Sequence, residues 1–321
     1  MEIKPGYQTT ENIASMIVPG HYIDAHMATE KSLLNSSREK IRVYAKEFKP
    51  INLSSNEHRA MTALWGLYHE AGYNEEVFKT GVIVTPYDLC KRMGYSKDKK
   101  GRFGGKARRS ALNALINLSR KSFDIYVTKY TGRENGKKIF DVVVLPNKSL
   151  IDIQYAASNV TEEDLINGAV KGKVAKIHIQ IKPLFYKEGY YLLFEKNFYT
   201  RLKEILKKEN RRVTKYHWNF AFWLLKQKAN KKSVEINIDK LTVALKIPQG
   251  ARHKARARGI VRGLYKDFKM AGHIEEFKVD IAAQNGNTKD VLIVDASTKK
   301  HIPAGDNGCG IRGITGVKYG G

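Results

Sequence analysis

From residue 53 onward, apolar side chains recur at helical spacing and then at alternating spacing, and the chain passes through this order twice. In the first pass Ser54 or Ser55 can cap a helix in which Met61, Leu64, Trp65, Leu67 and Tyr68 recur as far as Gly72. Residues 81–84 form a short β-branched run. Thr85-x-x-Asp88 then starts a helix through Leu89 and Met93 that stops at Gly94. Residues 106–121 are helical again. Ala107, Ala111, Leu112, Ala114, Leu115, Ile116 and Leu118 cover a broad apolar face, with Lys106, Arg109, Ser110, Asn113, Asn117 and Arg120 on the other. The period then drops to two over residues 124–130 and 139–145, predicting a hairpin turned at Asn135-Gly136.

Residues 149–174 read as a connector with a polar helical insert at 161–167. A strand at 176–181 follows, with Ile177, Ile179 and Ile181 on one face. Helices are predicted at 198–208 and 216–228, the latter so rich in Trp218, Phe220, Phe222, Trp223 and Leu225 that it belongs in a core. The first order then returns: a strand at 234–238, a helix capped by Asp239 carrying Leu241 and Leu245, a long helix, and strands at 274–279 and 291–294 around Asn285-Gly286. Leu89, Met93 and Tyr95 have the spacing of Leu241, Leu245 and Ile247. Strand, helix, helix and hairpin in this order predict an α+β chain of two tandem winged helix-turn-helix domains. The expected division is an N-terminal arm at 1–52 with short elements near 22–27 and 40–48, a first winged-helix domain at 53–148, the connector at 149–174, a second at 175–297, and a Gly-rich tail at 298–321.

Charge changes the picture most in the long helix expected within residues 246–271. Ala257, Ile260, Val261, Leu264, Phe268 and Ala271 share one arc of about 100°, while Arg252, Lys254, Arg256, Arg258, Arg262, Lys266 and Lys269 spread over the opposite side. Alone, such a run is compatible with an ordinary solvated face. The whole chain, however, carries 57 Lys and Arg against 32 Asp and Glu, a net charge of +25 that suits a polyanionic partner. An anionic membrane surface would also attract that charge, but the longest apolar runs are only a few residues and the first ten lack a signal-peptide core. With Cys90 and Cys309 the only cysteines, neither a disulfide framework nor a zinc site is expected, and the setting predicted is a reducing cytoplasm.

Base edges in a DNA major groove are read by side chains that offer paired donors or acceptors. Candidates are Lys106, Arg108, Arg109, Ser110, Asn113 and Asn117 on the first long helix, and Arg252, Lys254, Arg256, Arg258 and Arg262 on the second. Arg133, Lys137 and Lys138 on the first hairpin and Lys289 on the second suit the phosphate backbone better. Lys97, Lys99, Lys100, Arg102 and Lys106, in a Gly-rich segment, are a phosphate-contact candidate of low specificity, and the segment lacks the GxxxxGK[ST] pattern of a nucleotide site. His178-Ile179-Gln180 resembles the metal-binding strand of rolling-circle nicking enzymes, with Tyr199 or Tyr216 as nucleophile. One alternating triplet with few acids near it is more simply the outer half of a strand, so no catalytic residue, metal or cofactor is expected.

The helix NLSSNEHRAMTALWGLYHEAG, the units VIVTPYDLCKRMGY and GGKARRSALNALINLSRKSFDIYVTKY, and the second unit from EINIDKLTVALKI to FKVDIAAQNGNTKDVLIVD together resemble the tandem winged-helix replication initiators of iteron plasmids, the Rep proteins. The resemblance is one of organisation and spans most of residues 53–295. It implies recognition helices at 106–121 and 250–271, binding of double-stranded DNA at directly repeated origin sites, and no nuclease activity. It further implies loading of a host initiator and replicative helicase, and a homodimer, with the first winged helix as its interface, that represses its own promoter. A transcriptional or partition regulator would use the same helices without origin opening, and a charge-only binder would use neither for base reading.

Overall fold

The computed structural model describes residues 15–27, 40–45, 49–50, 52–159, 162, 173–186, 191–228, 233–248, 254–282 and 288–294. The chain opens with β1 (Ser15–Pro19), α1 (Gly20–His26), β2 (Lys40–Ala45) and β3 (Lys49–Pro50). Next come α2 (Ser55–Glu70), α3 (Glu75–Thr80), β4 (Val82–Val84), α4 (Pro86–Arg92), α5 (Gly105–Arg120), β5 (Phe123–Glu134), β6 (Lys137–Lys148), β7 (Ile151–Ser158) and β8 (Lys173–Ile181). They are followed by β9 (Tyr191–Glu195), α6 (Phe198–Lys208), α7 (Lys215–Lys228), β10 (Ser233–Ile236), α8 (Ile238–Ala244), α9 (Lys254–Met270), β11 (Glu276–Ala282) and β12 (Thr288–Ile293). The architecture is α+β, and among the described residues no helix is long and apolar enough to cross a membrane.

Local signals set the helix starts. Ser54 caps α2 by accepting from the Glu57 amide at 3.3 Å while the Glu57 carboxylate accepts from the Ser54 amide at 2.7 Å. Thr85 caps α4 through the Asp88 amide at 3.1 Å. The cap of α8 differs from expectation: Asn237, not Asp239, accepts from the Asp239 and Lys240 amides at 3.0 and 3.2 Å. Asp239 is thereby left in the first turn with its carboxylate available elsewhere.

Two three-stranded sheets have the same plan. In the order β4-β8-β7, Val82 lies opposite Ile179 and Ile151 opposite Ile181. In the order β10-β12-β11, Val234 lies opposite Leu292 and Phe277 opposite the same residue. Each time the strand that precedes the helix pair lies against the last strand of a hairpin. This corrects three expectations. The hairpin turned at Asn135-Gly136 does not join β4; β5 and β6 extend a separate four-stranded sheet in the order β3-β2-β5-β6. Residues 151–158 are a paired strand rather than a connector, and the strand read at 176–181 closes the first unit rather than opening the second. The insert at 161–167 lies almost wholly outside the described residues, as do Asn285-Gly286, Cys309 and the tail.

The two helix pairs match bond for bond at the turn. Met93 donates to Leu89 and Tyr95 to Cys90 at 2.9 and 3.0 Å; Leu245 donates to Leu241 and Ile247 to Thr242 at the same distances. Between them Gly94 and Lys246 both adopt left-handed backbone, φ 68° and 58°. That conformation disfavours a non-glycine residue by about 1–2 kcal/mol. Lys246 nevertheless occupies it, and its buried ammonium donates to the His26 carbonyl oxygen. The basic helix therefore does not include Lys246; α9 runs from Lys254, and residues 249–253 lie outside the described set.

The expected arm is instead part of the core where residues 15–26 are concerned. β1 pairs with β9, with Met16 opposite Phe194, and Met16, Val18, Tyr22 and Ile23 are at most 2% exposed. The Tyr22 ring meets Trp65 of α2 at 5.0 Å and Phe222 of α7 at 6.2 Å, edge-on in both cases, so α1 fills the seam between the two units. The His26 Nε2 lies 3.0 Å from the Asn219 Oδ1 on the same seam. Each apolar pattern here is too short to stand out in sequence, and its partners lie far along the chain.

Replacing Tyr22 by Ala should destabilise the protein by about 3–5 kcal/mol, as for other buried rings, and denaturant unfolding measures it. Burial also lowers the Lys246 pKa from 10.5 to about 7. Between those values the unfolded chain holds a proton here that the folded chain does not. Stability from this group therefore rises with pH across that window, by at most about 1.4 kcal/mol per pH unit. Melting curves of wild type and Lys246→Met between pH 7 and 9.5 should show the steeper rise in wild type; parallel pH dependence would contradict the assignment.

Candidate nucleic-acid interface

α5 is amphipathic because Ala111, Ala114, Leu115 and Leu118 recur at helical spacing and are buried, which turns the intervening polar residues outward. Lys106, Arg108, Arg109, Asn113 and Asn117 are exposed, with no hydrogen-bond or ion-pair partner among the described residues. The Gly104 cap offers no side chain to the first amides of the helix, so its positive end also faces outward beside three cations. Lys106, Arg109, Asn113 and Asn117 share a cleft of about 280 Å³ with Ser54, Asn56 and Glu57 at the start of α2. Glu57 adds little charge there, since its side chain is buried, holds the α2 cap and is 2.6 Å from the Lys121 Nζ.

Ser110 serves a different end. Its hydroxyl lies 2.8 Å from the Tyr95 hydroxyl and its carbonyl accepts from the Asn56 Nδ2 at 3.1 Å, so it fastens α5 to α2 and to the turn after α4. The loop before α5 is equally organised. The Asp98 carboxylate accepts from the Lys100 and Arg102 amides at 2.9 and 2.8 Å, and Lys97 lies over the Tyr87 and Phe103 rings at 5.4 and 5.7 Å.

α9 is set by a buried face of Ala257, Val261, Leu264, Tyr265 and Phe268, and by Asp267. The Asp267 carboxylate accepts two hydrogen bonds from Arg211, both 2.6 Å, and lies 3.1 Å from the His217 Nε2. Burial alone would raise its pKa, but these partners hold it below the ordinary carboxylate value. Most cations predicted to face DNA from this unit are occupied. Arg258 donates to both Asp239 oxygens at 2.9 and 2.8 Å, with the Lys254 Nζ 3.2 Å away. Arg258 first, and then Lys254, hold the Asp239 carboxyl at about 2. Arg262 pairs with Asp280, and Lys289 lies 2.8 Å from Glu235. Arg256 is exposed and has no partner among the described residues. Arg252 lies outside them.

No family model and no curated protein matches the chain. Among solved structures it is similar to selenomethionine derivatives of domains 2 and 3 of RctB, at 11% identity and a TM-score of 0.43, covering 86% of this chain and 98% of that one. A second crystal structure of RctB domains 2-3 is similar at 14% identity and a TM-score of 0.45, covering 86% of this chain and 97% of that one. At such values the likeness assigns neither fold nor function to this protein.

The first hairpin is not where its charges were expected. Arg133 lies opposite Lys138 beside the two-residue turn, on the order of 35 Å along the strand from Phe123, in the sheet that does not contain β4. Arg133 is exposed, and the side chains of Lys137 and Lys138 are outside the described set. The strand that does flank β4 carries the His178-x-Gln180 triplet. The His178 Nε2 is 2.6 Å from the Thr80 carbonyl oxygen, and the Gln180 Nε2 donates to the Lys79 and Phe78 carbonyl oxygens at 2.5 and 3.3 Å. Both close the end of α3, and among the described residues no His/Cys/Asp/Glu group of three could hold a metal.

Sequence reading took Asp239 for a cap and did not single out Asn56, because Arg258 lies 19 residues from the former and Ser110 lies 54 residues from the latter. Replacing Asp239 by Asn should release Arg258 and Lys254. Binding to random duplex DNA at low salt should tighten, and the salt slope should steepen by about one to two phosphate equivalents in a fluorescence titration. Unchanged slopes would mean that the pair persists in the complex.

Proposed function

We propose that this is a sequence-specific double-stranded DNA-binding protein in which each unit is a winged helix-turn-helix, with α5 and α9 as the major-groove helices. The observation that carries this reading is the repetition of one plan: the same strand order, the same turn geometry between paired helices, and in each case a second helix whose outer face bears guanidinium, ammonium or amide groups. The wing of the first unit is then β7 and β8, not the hairpin of β5 and β6. α5 is the better base reader, because its amides and guanidiniums are unengaged, and α9 supplies grip, with Arg256 as its available reader.

The finer reading draws on the resemblance to the iteron-plasmid Rep proteins. The protein marks directly repeated origin sites as a replication initiator in the cytoplasm, works with a host initiator and replicative helicase, and represses its own promoter as a dimer. It acts by binding, without chemistry on the DNA. Selection of bound duplexes from a random pool, followed by footprinting on the parent replicon, tests this. Several directly repeated sites support an initiator, a single inverted repeat indicates a regulator instead, and the absence of any enriched sequence indicates charge-only binding.

Within the selected site, Asn113→Ala and Arg256→Ala should each weaken binding by about 1–3 kcal/mol and relax the preference at one position. Lys106→Ala should weaken all sequences alike and reduce the salt slope by about one. Competition titrations against single-base variants distinguish the two behaviours, and uniform loss in all three variants would argue against base reading.

A further inference from the structure

Arg59 stands on the seam between the two units and belongs to neither outward-facing helix. Its guanidinium carbon lies over the Tyr95 ring and over the Tyr199 ring, 4.1 Å from each centroid. Nε donates to the Met93 carbonyl oxygen at 2.7 Å, and the Asn56 Oδ1 is 3.3 Å from Nη1. The same Asn56 oxygen accepts from the Tyr95 hydroxyl at 2.9 Å, and the Asn56 amide reaches Ser110 on α5. On the other side Tyr199 stacks on Trp218 of α7, with centroids 6.1 Å apart and planes within 6°. The approach is close enough that a Cβ at Gly94 would meet the Thr200 hydroxyl and the Tyr199 ring at 2.9 Å. α6 then bears on α9 through Phe198 and Phe268, centroids 5.9 Å apart, and Arg201, which donates to the Ala271 carbonyl oxygen.

Aromatic rings hold a cation without fixing its direction, whereas the two carbonyl-directed donors fix it. Hydrogen bonds thus fix Arg59 on α2 and the turn that carries α5, and it reaches α6 through the Tyr199 ring, beside which Lys203 of α6 donates to the Ser96 hydroxyl at 3.3 Å. We propose that Arg59 is a positioning residue that locks the turn between α4 and α5 onto α6, so that α5 and α9 move as one body and only DNA sites with one separation between their two contacted segments are accepted. This rests on the duplex-binding reading above. Two readers on a flexible tether would tolerate several separations; two on one rigid body lose the second contact when a base pair is inserted.

The test uses the full chain as wild type, Arg59→Met, Tyr199→Phe and Tyr199→Leu. Each is titrated against the selected site and against the same site with one, two or three base pairs inserted between its footprinted halves, with circular dichroism confirming folding. Wild type and Tyr199→Phe, which keeps the ring, should lose about 100-fold or more on insertion. Arg59→Met and Tyr199→Leu should bind the parent site more weakly, yet change less than about threefold with spacing. A folded Tyr199→Leu protein with the wild-type spacing profile overturns the proposal, and so does a wild-type protein that tolerates insertions, whatever the variants do. If wild type selects no duplex, the duplex reading falls by itself and thermal unfolding decides the lock. One transition in wild type that splits into two in Tyr199→Leu supports it, and one transition in both overturns it.

Discussion

Burial of aromatic rings along the seam between the two units is the constraint on which the rest of the structure depends. Tyr22, Trp65, Phe185, Phe194, Phe198, Trp218 and Phe222 come from α1, α2, β9, α6, α7 and the turn at Pro183–Phe185, and all belong to one buried cluster that runs through both units. Rings of this size bring a large apolar area out of water; around Tyr22 they meet edge-on, while Phe194 and Trp218 stack with centroids 6.5 Å apart. Because α1 supplies the central ring, neither unit closes its core without the segment that precedes it. The outward helices then inherit their positions from this seam rather than from any loop.

The same seam explains why polar groups are buried there. His58 is fully covered and neither ring nitrogen has a partner among the described residues; it meets the His26 ring at 5.0 Å and Trp218 at 5.8 Å. Burial first, and then the nearby Lys246 charge, hold both histidines well below their usual value, so they pack as neutral rings. Lys246 accepts left-handed backbone to reach the His26 carbonyl, while Gly94 at the equivalent turn uses its missing side chain to admit Tyr199. One turn geometry thus serves two docking contacts, one for each unit.

Charge is distributed unevenly between the two outward helices. α9 carries more cations than α5, but Asp239 and Asp280 neutralise Lys254, Arg258 and Arg262 in place. Such exposed pairs are weak and exchange readily for phosphate oxygens, so α9 is suited to holding a backbone whose charge competes with its own carboxylates. α5 keeps its amides and guanidiniums unpaired beside an uncapped positive end. A helix with fewer charges is here the more available one.

By itself the sequence determined what depends on neighbours three or four residues away. The caps at Ser54 and Thr85, the buried faces of α5, α7 and α9, the Asn135-Gly136 turn with both residues at positive φ, and the kinship of Leu89-Met93 with Leu241-Leu245 were all legible, since helix periodicity and turn chemistry are local. Pairing across long separations was decided only by the tertiary structure. Alternation in β5 and β6 is satisfied equally by a wing or by a separate sheet, and nothing along the chain says that Val82 must meet Ile179 or Met16 must meet Phe194. The same holds at the interface. Arg258 and Arg256 are alike in sequence, two residues apart on a basic helix, and they differ because Asp239 happens to fold against one of them. Arg59 is one cation among many until Tyr95 and Tyr199 close on it. Contacts of that kind form when distant segments are brought together by the burial of their apolar faces, and a residue's neighbours in space are then set by the whole core rather than by its place in the chain.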